Sequence, residues 1–285
     1  LSSAVLSRLR RSRKPSVFLR ERPFPRWIPL MRANLSNGDD CSTDFFTYNA
    51  YMRSSEQPRY IVATIKPWNI AVFKRRIAKF PGVWHLITDS RMLTPRLIKK
   101  IRPRYIFFPH WSWKVPKEIL DAAPCVCFHE TDVPYGRGGS PIQNLITRGH
   151  RKTKISALRM EEGLDTGPVY LKKSVSLLGT AQEIFERNAH TVANMIETII
   201  VKNPQPKSQK GKVMIFKRRT PEESDIAKLK NLTISKLFDH IRMLDAPTYP
   251  HAYIDVGPLR LEFTDASLGK GELTAAVTVR KRIST

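Results

Sequence analysis

Two stretches of this 285-residue chain hold the side chains best suited to moving protons. The first runs Cys125-Val126-Cys127-Phe128-His129-Glu130-Thr131-Asp132-Val133-Pro134-Tyr135-Gly136-Arg137-Gly138-Gly139-Ser140-Pro141-Ile142-Gln143. Its apolar start, Cys125 to Phe128, reads as a short strand that delivers His129 at its carboxyl end. A loop punctuated by Pro134, Gly136, Gly138 and Gly139 follows, and Ser140-Pro141 reads as the N-cap and first residue of a helix. Open α/β sheets hold their ligands where a strand gives way to a glycine-rich loop and a helix N-terminus. The second stretch is a strand-like run, Ile155 to Met160, and then a turn, Glu161 to Pro168, that sets Asp165 between Gly163 and Gly167. A carboxylate beside a histidine orients the ring and supports its charged form, so His129 and Asp165 make a sensible proton-handling pair. Read blandly, His129 is a satisfied strand-end histidine, and Asp165 is a turn former of a common kind.

The elements around these stretches alternate cleanly. Tyr60 to Ile65 is an apolar, β-branched strand. The spacing of Ile70, Phe73, Ile77 and Phe80 predicts a helix over Asn69 to Phe80. Val83 to Thr88 is a second strand, Thr94-Pro95 opens a short helix to Ile101, and Tyr105 to Pro109 is a third strand. Val115 to Ala122 reads as a helix. Strands alternating with helices predict an α/β fold with a Rossmann-like, mostly parallel sheet. After Asp165 come a strand, Val169 to Val175, and a capping box, Thr180-Ala181-Gln182-Glu183. The box opens a helix to about Val201 whose apolar face is Phe185, Ala189, Val192, Ile196 and Ile199. Lys202 to Lys212 reads as a Pro/Gln/Lys linker. A small α+β domain follows, with a strand at Val213 to Phe216, a helix at Thr233 to Leu244, and strands at Ala252 to Val256, Leu259 to Phe263 and Leu273 to Val279. The expected organisation is a basic extension and linker over 1–58, a main domain over 59–212 and a small C-terminal domain over 213–285.

The order and spacing of His129, Thr131 to Pro134, Arg137-Gly138, Pro141, Gln143 and Gly163 to Gly167 resemble the 10-formyltetrahydrofolate-dependent formyltransferases. Lys217 to Ser224 and Ile241 to Asp245 are similar to the family's join between catalytic and C-terminal parts. The resemblance spans roughly residues 59 to 268. It implies the formyltransferase fold, 10-formyltetrahydrofolate as formyl donor and an amine as acceptor, most simply methionyl-tRNA, with an amino sugar second. It also implies that His129 takes the amine's proton while Asp165 supports it. Trp111, Ser112, Trp113 and Val115 would wall the pterin pocket, with Pro134, Arg137 and Gly138 also contacting the folate; ordinary aromatic packing is the plainer account of the tryptophans. One position departs, since the family's Asn falls on Cys127. Alternation along a strand puts residues 127 and 129 on one side, so Cys127 joins the catalytic set. A thiol is a poor donor, and losing one oxyanion donor typically costs ~10²–10³ in rate. Backbone amides or Asn144 are the candidates to replace it. The C-terminal part is too short for the full β-barrel of methionyl-tRNA enzymes, which puts barrel-mediated tRNA recognition in doubt.

Charge points to a polyanionic partner. The chain carries 49 Lys+Arg against 25 Asp+Glu, a formal net charge of +24. Neutralising phosphates releases counterions, so such an excess favours RNA, although a generally solubilising surface has the same composition. Leu1 to Met31 concentrates Arg8, Arg10, Arg11, Arg13, Lys14, Arg20, Arg22 and Arg26 around a single acid, Glu21. An Arg-rich, Ser-rich, acid-poor segment reads as an organellar transit sequence or its remnant, or as a retained basic arm. The expected location is the mitochondrial matrix. The partner is tRNA for an enzyme, or mitochondrial ribosomal RNA and particle proteins if the fold serves as an inactive platform or assembly factor. Three cysteines make neither a disulfide framework nor a zinc pattern, so no metal is expected. No apolar run approaches the ~18 residues of a membrane span.

Overall fold

A computed structural model describes residues 57–282. The expectations for the extension and linker fall almost wholly outside those residues. The central sheet begins with β1 (Arg59–Ala63), β2 (Val83–Ile87), β3 (Tyr105–Phe108) and β4 (Cys125–His129). It continues through β6 (Lys152–Arg159) and β7 (Val169–Ser176), while β5 (Tyr135–Gly138) leaves it. Strand order is β2-β1-β3-β4-β6-β7. The first four strands are parallel, and β6 runs antiparallel to β4 and β7 to β6, so the sheet is mostly parallel as the alternation predicts.

Side-chain alternation explains why these strands are near-continuous apolar runs. Tyr60, Val62, Tyr105, Phe107, Val126 and Phe128 enter one core cluster. Ile61, Ala63, Ile106, Phe108 and Cys125 enter the other. Both faces are therefore covered, as parallel sheets require. One cover is α1 (Pro67–Arg75) with the long α5 (Ala181–Lys202); α2 (Pro95–Ile101) and α3 (Lys117–Ala122) form the other, and the short α4 (Pro141–Thr147) follows β5. The predicted caps are present. Thr94 Oγ1 accepts from Leu97 N at 3.2 Å, and Thr180 and Glu183 exchange backbone and side-chain hydrogen bonds as a capping box. All five residues of the predicted α5 face are buried.

Four expectations need correcting. Helix α1 ends at Arg75, and a single 3₁₀ turn, Ile77–Lys79, follows. It buries Trp68, Asn69, Val72 and Phe73 rather than a face begun by Ile70, because Trp68 stacks on Phe185 with ring centroids 5.1 Å apart. Helix α3 starts at Lys117, two residues after Val115, with Pro116 at its cap. Ser140 does precede α4, yet it caps nothing: its φ is +49° and its hydroxyl accepts from Arg219 N at 3.0 Å. The supposed linker is tied down as well, since Val169 and Lys207 exchange backbone hydrogen bonds of 2.7 and 2.9 Å.

Beyond it, β8 (Met214–Phe216) pairs in parallel with β5. Gly138 permits that approach, because a Cβ there would lie 2.4 Å from the Phe216 carbonyl oxygen at a φ of +104°. The C-terminal part is α6 (Ile234–Arg242) on an antiparallel sheet of β9 (Ala252–Val256), β10 (Leu259–Leu268) and β11 (Leu273–Lys281). Arg242, buried on α6, donates to the Leu177 and Gly179 carbonyls at 2.7 and 2.8 Å and pins this part beside α5. The described residues form one compact unit. No helix among the described residues is long and apolar enough to cross a membrane.

Candidate active site

Two clefts meet at the carboxyl ends of β3 and β4, beside the point where strand order switches between β1 and β3. One has a volume of about 760 Å³ and is walled by the Trp111-to-Pro116 loop and the Asp165 turn. The other, about 430 Å³, is lined by His110, His129, Glu130, Phe185, Tyr249 and the Arg218-to-Pro221 segment. Cys127, Asp165, Trp111, Ser112 and Arg218 belong to both walls and mark the junction.

Strand β4 ends at His129, and the loop after it folds back so that the Gly136 carbonyl meets His129 Nε2 at 2.7 Å. A carbonyl only accepts, so Nε2 carries a proton. His129 Nδ1 faces Asp165 Oδ2 at 3.4 Å, and the same oxygen accepts from Gly138 N at 2.9 Å. A second proton on Nδ1 satisfies the carboxylate too, so the arrangement accommodates an imidazolium. Asp165 Oδ1 has no hydrogen-bond partner among the described residues. The turn delivers Asp165 at a φ of +53°, a conformation Asp tolerates better than most residues. At Gly167 a Cβ would lie 1.8 Å from the Arg159 carbonyl oxygen, so no other residue fits there.

Cys127 faces the junction and keeps its proton: burial, then the Asp165 charge, push its thiol well above the ordinary range. Burial likewise pushes its neighbour Cys125 up to about 12. Neither is a thiolate nucleophile. Asn144 cannot serve in place of an oxyanion amide, because its Nδ2 donates to the Gly139, Ser140 and Lys217 carbonyls at 3.0, 3.1 and 2.9 Å.

The structure thus brings His129, Asp165, Cys127, Trp111, Ser112 and Gly138 together at the junction, and places Trp113 and Val115 on the larger cleft. It keeps Pro134 and Arg137 off both walls. Arg137 is turned away because its Nε and Nη2 donate to Gln209 Oε1 at 3.1 and 2.8 Å. Pro134 instead gives its carbonyl to Met214 N at 3.2 Å. Gln209 is the residue that sequence reasoning missed. Its Nε2 donates to the Asp165 and Gly167 carbonyls, both at 2.8 Å, so it clamps the carboxylate turn to the β5 loop. Nothing local marks it, since its partners lie 42 to 72 residues away. Gln209→Ala leaves two carbonyls and a guanidinium unmatched in a half-buried place. It is expected to lower unfolding free energy by about 1–3 kcal/mol in urea denaturation.

Comparison with known proteins gives the following. A family model described as formyl transferase matches residues 89–199, and one described as the methionyl-tRNA formyltransferase C-terminal domain matches residues 221–280. The solved methionyl-tRNA formyltransferase from Clostridium thermocellum is similar at a TM-score of 0.74 and 44% identity, over 79% of this chain and 100% of that one. A methionyl-tRNA formyltransferase of Campylobacter jejuni subsp. doylei is 32% identical over 139 residues, 48% of this chain and 46% of that protein. This chain spans about half the length of the curated relatives it matches. HypX from Aquifex aeolicus in complex with tetrahydrofolic acid is alike at a TM-score of 0.59 and 16% identity, over 74% of this chain and 38% of that one; at that identity the likeness is one of fold.

Proposed function

We propose that this chain, which belongs to the formyltransferase family, moves a formyl group from 10-formyltetrahydrofolate to the amine of methionyl-tRNA. The observation that carries this reading is the His129–Asp165 pair at the junction of two clefts. The larger cleft suits a folate. Its volume of about 760 Å³ lies within the usual range for organic ligands, Trp111 and Trp113 offer flat apolar wall, and Lys114 and Arg218 offer cations to a carboxylate tail. When bound, the folate supplies an electrophilic formyl carbon.

The chain's own residues then divide the work differently from the roles the resemblance implies. His129 Nε2 is taken up by Gly136, so the free acceptor at the junction is Asp165 Oδ1. Asp165 accepts the attacking amine's proton, and His129 holds the carboxylate from the Oδ2 side through Nδ1. Gly138 N fixes that same oxygen, and Gln209 fixes the turn. The test is to assay the purified chain with 10-formyltetrahydrofolate and three acceptors: methionyl-tRNA, an amino sugar and water. Formylmethionyl-tRNA as the main product is expected. Donor hydrolysis alone, or preference for the sugar, contradicts the reading.

A second reading has its own support. With Cys127 protonated and Asn144 committed elsewhere, no side-chain amide among the described residues lines both clefts, which suits a catalytically feeble platform held on mitochondrial ribosomal RNA and its proteins. RNA is the partner in both readings, and the acid-poor N-terminal segment suits the mitochondrial matrix. Deleting residues 1–36 is expected to weaken RNA binding and flatten its salt dependence by ~0.7–0.9 per lost phosphate contact. Filter binding from 50 to 300 mM salt checks this, and an unchanged slope would leave the segment a targeting sequence.

A further inference from the structure

The smaller cleft holds a second histidine–carboxylate pair, His110 and Glu130. His110 Nδ1 lies 3.4 Å from the Trp68 indole Nε1 and 3.3 Å from Asn69 Nδ2. An indole only donates. Asn69 Nδ2 is fixed as a donor too, because it also faces the Pro109 carbonyl at 3.4 Å. Nδ1 is therefore the acceptor, and the ring's proton is on Nε2, 3.4 Å from Glu130 Oε1. Two N–H groups thus point at Nδ1, and the Nε2 side of the ring faces Glu130, whose carboxylate brings the negative charge.

That charge is buried but not closed off. Asn188 Nδ2 donates to Oε1 at 3.0 Å, while Oε2 has no partner among the described residues. Burial pushes the Glu130 carboxyl up, and its His110 and Asn188 neighbours more than offset that, so it lies below its ordinary value. Burial, and then the Glu130 charge, push the phenol of Tyr249 well up. Phe185 stacks on Tyr249 with centroids 5.2 Å apart. These aromatic faces already carry an ammonium, since Lys66 Nζ lies 4.9 Å from the Tyr249 centroid and 5.5 Å from that of Trp68. A buried carboxylate among ring faces is a setting that favours an ammonium ligand.

We infer that Glu130, with Tyr249 and Phe185 around it, is the subsite that receives the acceptor's amine in its protonated form. The inference rests on the formyl-transfer reading for the acceptor's identity. The proton count agrees with it. An ammonium loses two protons on its way to a formamide nitrogen: one is released to solution before attack, and the other passes to Asp165 as the C–N bond forms and the donor nitrogen leaves with a proton. Glu130 holds the nitrogen before the first loss, and Asp165 serves the second.

The test titrates the protein with L-methionine methyl ester, an ammonium, and with its neutral N-acetyl derivative, following tryptophan fluorescence. Wild type is expected to bind the ammonium at least ~10-fold more tightly. Glu130→Gln should erase that preference, and Lys66→Met, which removes a competing ammonium, should sharpen it. Equal affinities in wild type, including no binding of either probe, overturn the inference. So does an undiminished preference in a folded Glu130→Gln. The Lys66→Met comparison keeps the test open if Glu130→Gln does not fold, and a preference that Lys66→Met weakens counts against the subsite. A charge preference in a protein that transfers no formyl group sinks the catalytic reading and leaves the subsite standing. Formyl transfer without the preference does the reverse.

Discussion

Replacing Asp165 by Asn is expected to lower kcat for formyl transfer ~10²–10⁴-fold while KM for the folate changes little. The substitution is isosteric, and Asn tolerates the +53° φ at this turn at least as well as Asp does. The amide oxygen can still accept from Gly138 N, and the backbone carbonyl remains for Gln209 Nε2. What is lost is a carboxylate, lining both clefts, that can take a proton at Oδ1, an oxygen with no partner among the described residues. A melting temperature within a few degrees of wild type together with the collapse of kcat would separate chemistry from folding. More than a tenth of the wild-type rate in Asp165→Asn would remove Asp165 from the proton path.

Cys127→Asn is expected to move the rate the other way, by up to ~10²-fold. As formyl transfer proceeds, negative charge gathers on the formyl oxygen, and a fixed amide N–H at the junction meets that charge better than a thiol. Burial and the Asp165 carboxylate keep the Cys127 thiol protonated, so the sulfur brings neither a strong donor nor a nucleophile. The position lines both clefts, which gives the larger side chain open space. Initial rates at saturating donor measure the change. A fall in rate would mean that backbone amides already serve the oxygen and that the wild-type protein is a fully competent enzyme.

Much of the frame was legible because its signals are local. Period-two alternation in Tyr60-to-Ala63 and Tyr105-to-Phe108 decides which side chains reach which face, and the Thr94-Pro95 and Thr180-Glu183 caps fix where helices begin. That His129 and Asp165 meet was also readable, since His129 closes an apolar strand and Asp165 sits in a turn between Gly163 and Gly167. The remainder depends on contacts distant in sequence. Gln209 looked like linker composition, yet its carboxamide organises Asp165, Gly167 and Arg137. Arg137 has the charge to meet a folate, and only the fold shows that Gln209 holds it elsewhere. Ser140 marked a helix start correctly for the wrong reason, because its hydroxyl is committed to Arg219. The His110–Glu130 pair was invisible for the same cause: the ring is turned toward Glu130 by Trp68 and Asn69, some forty residues upstream.

The central claim is that the His129–Asp165 junction transfers a formyl group to an aminoacyl-tRNA. Its most direct measurement is a single-turnover experiment with protein in excess over formyl-labelled 10-formyltetrahydrofolate and with methionyl-tRNA present. The expected result is label recovered in formylmethionyl-tRNA by the wild-type chain, and none above background with His129→Ala. Label that stays entirely on the folate with wild-type protein, while the folate is shown to be bound, would contradict the claim.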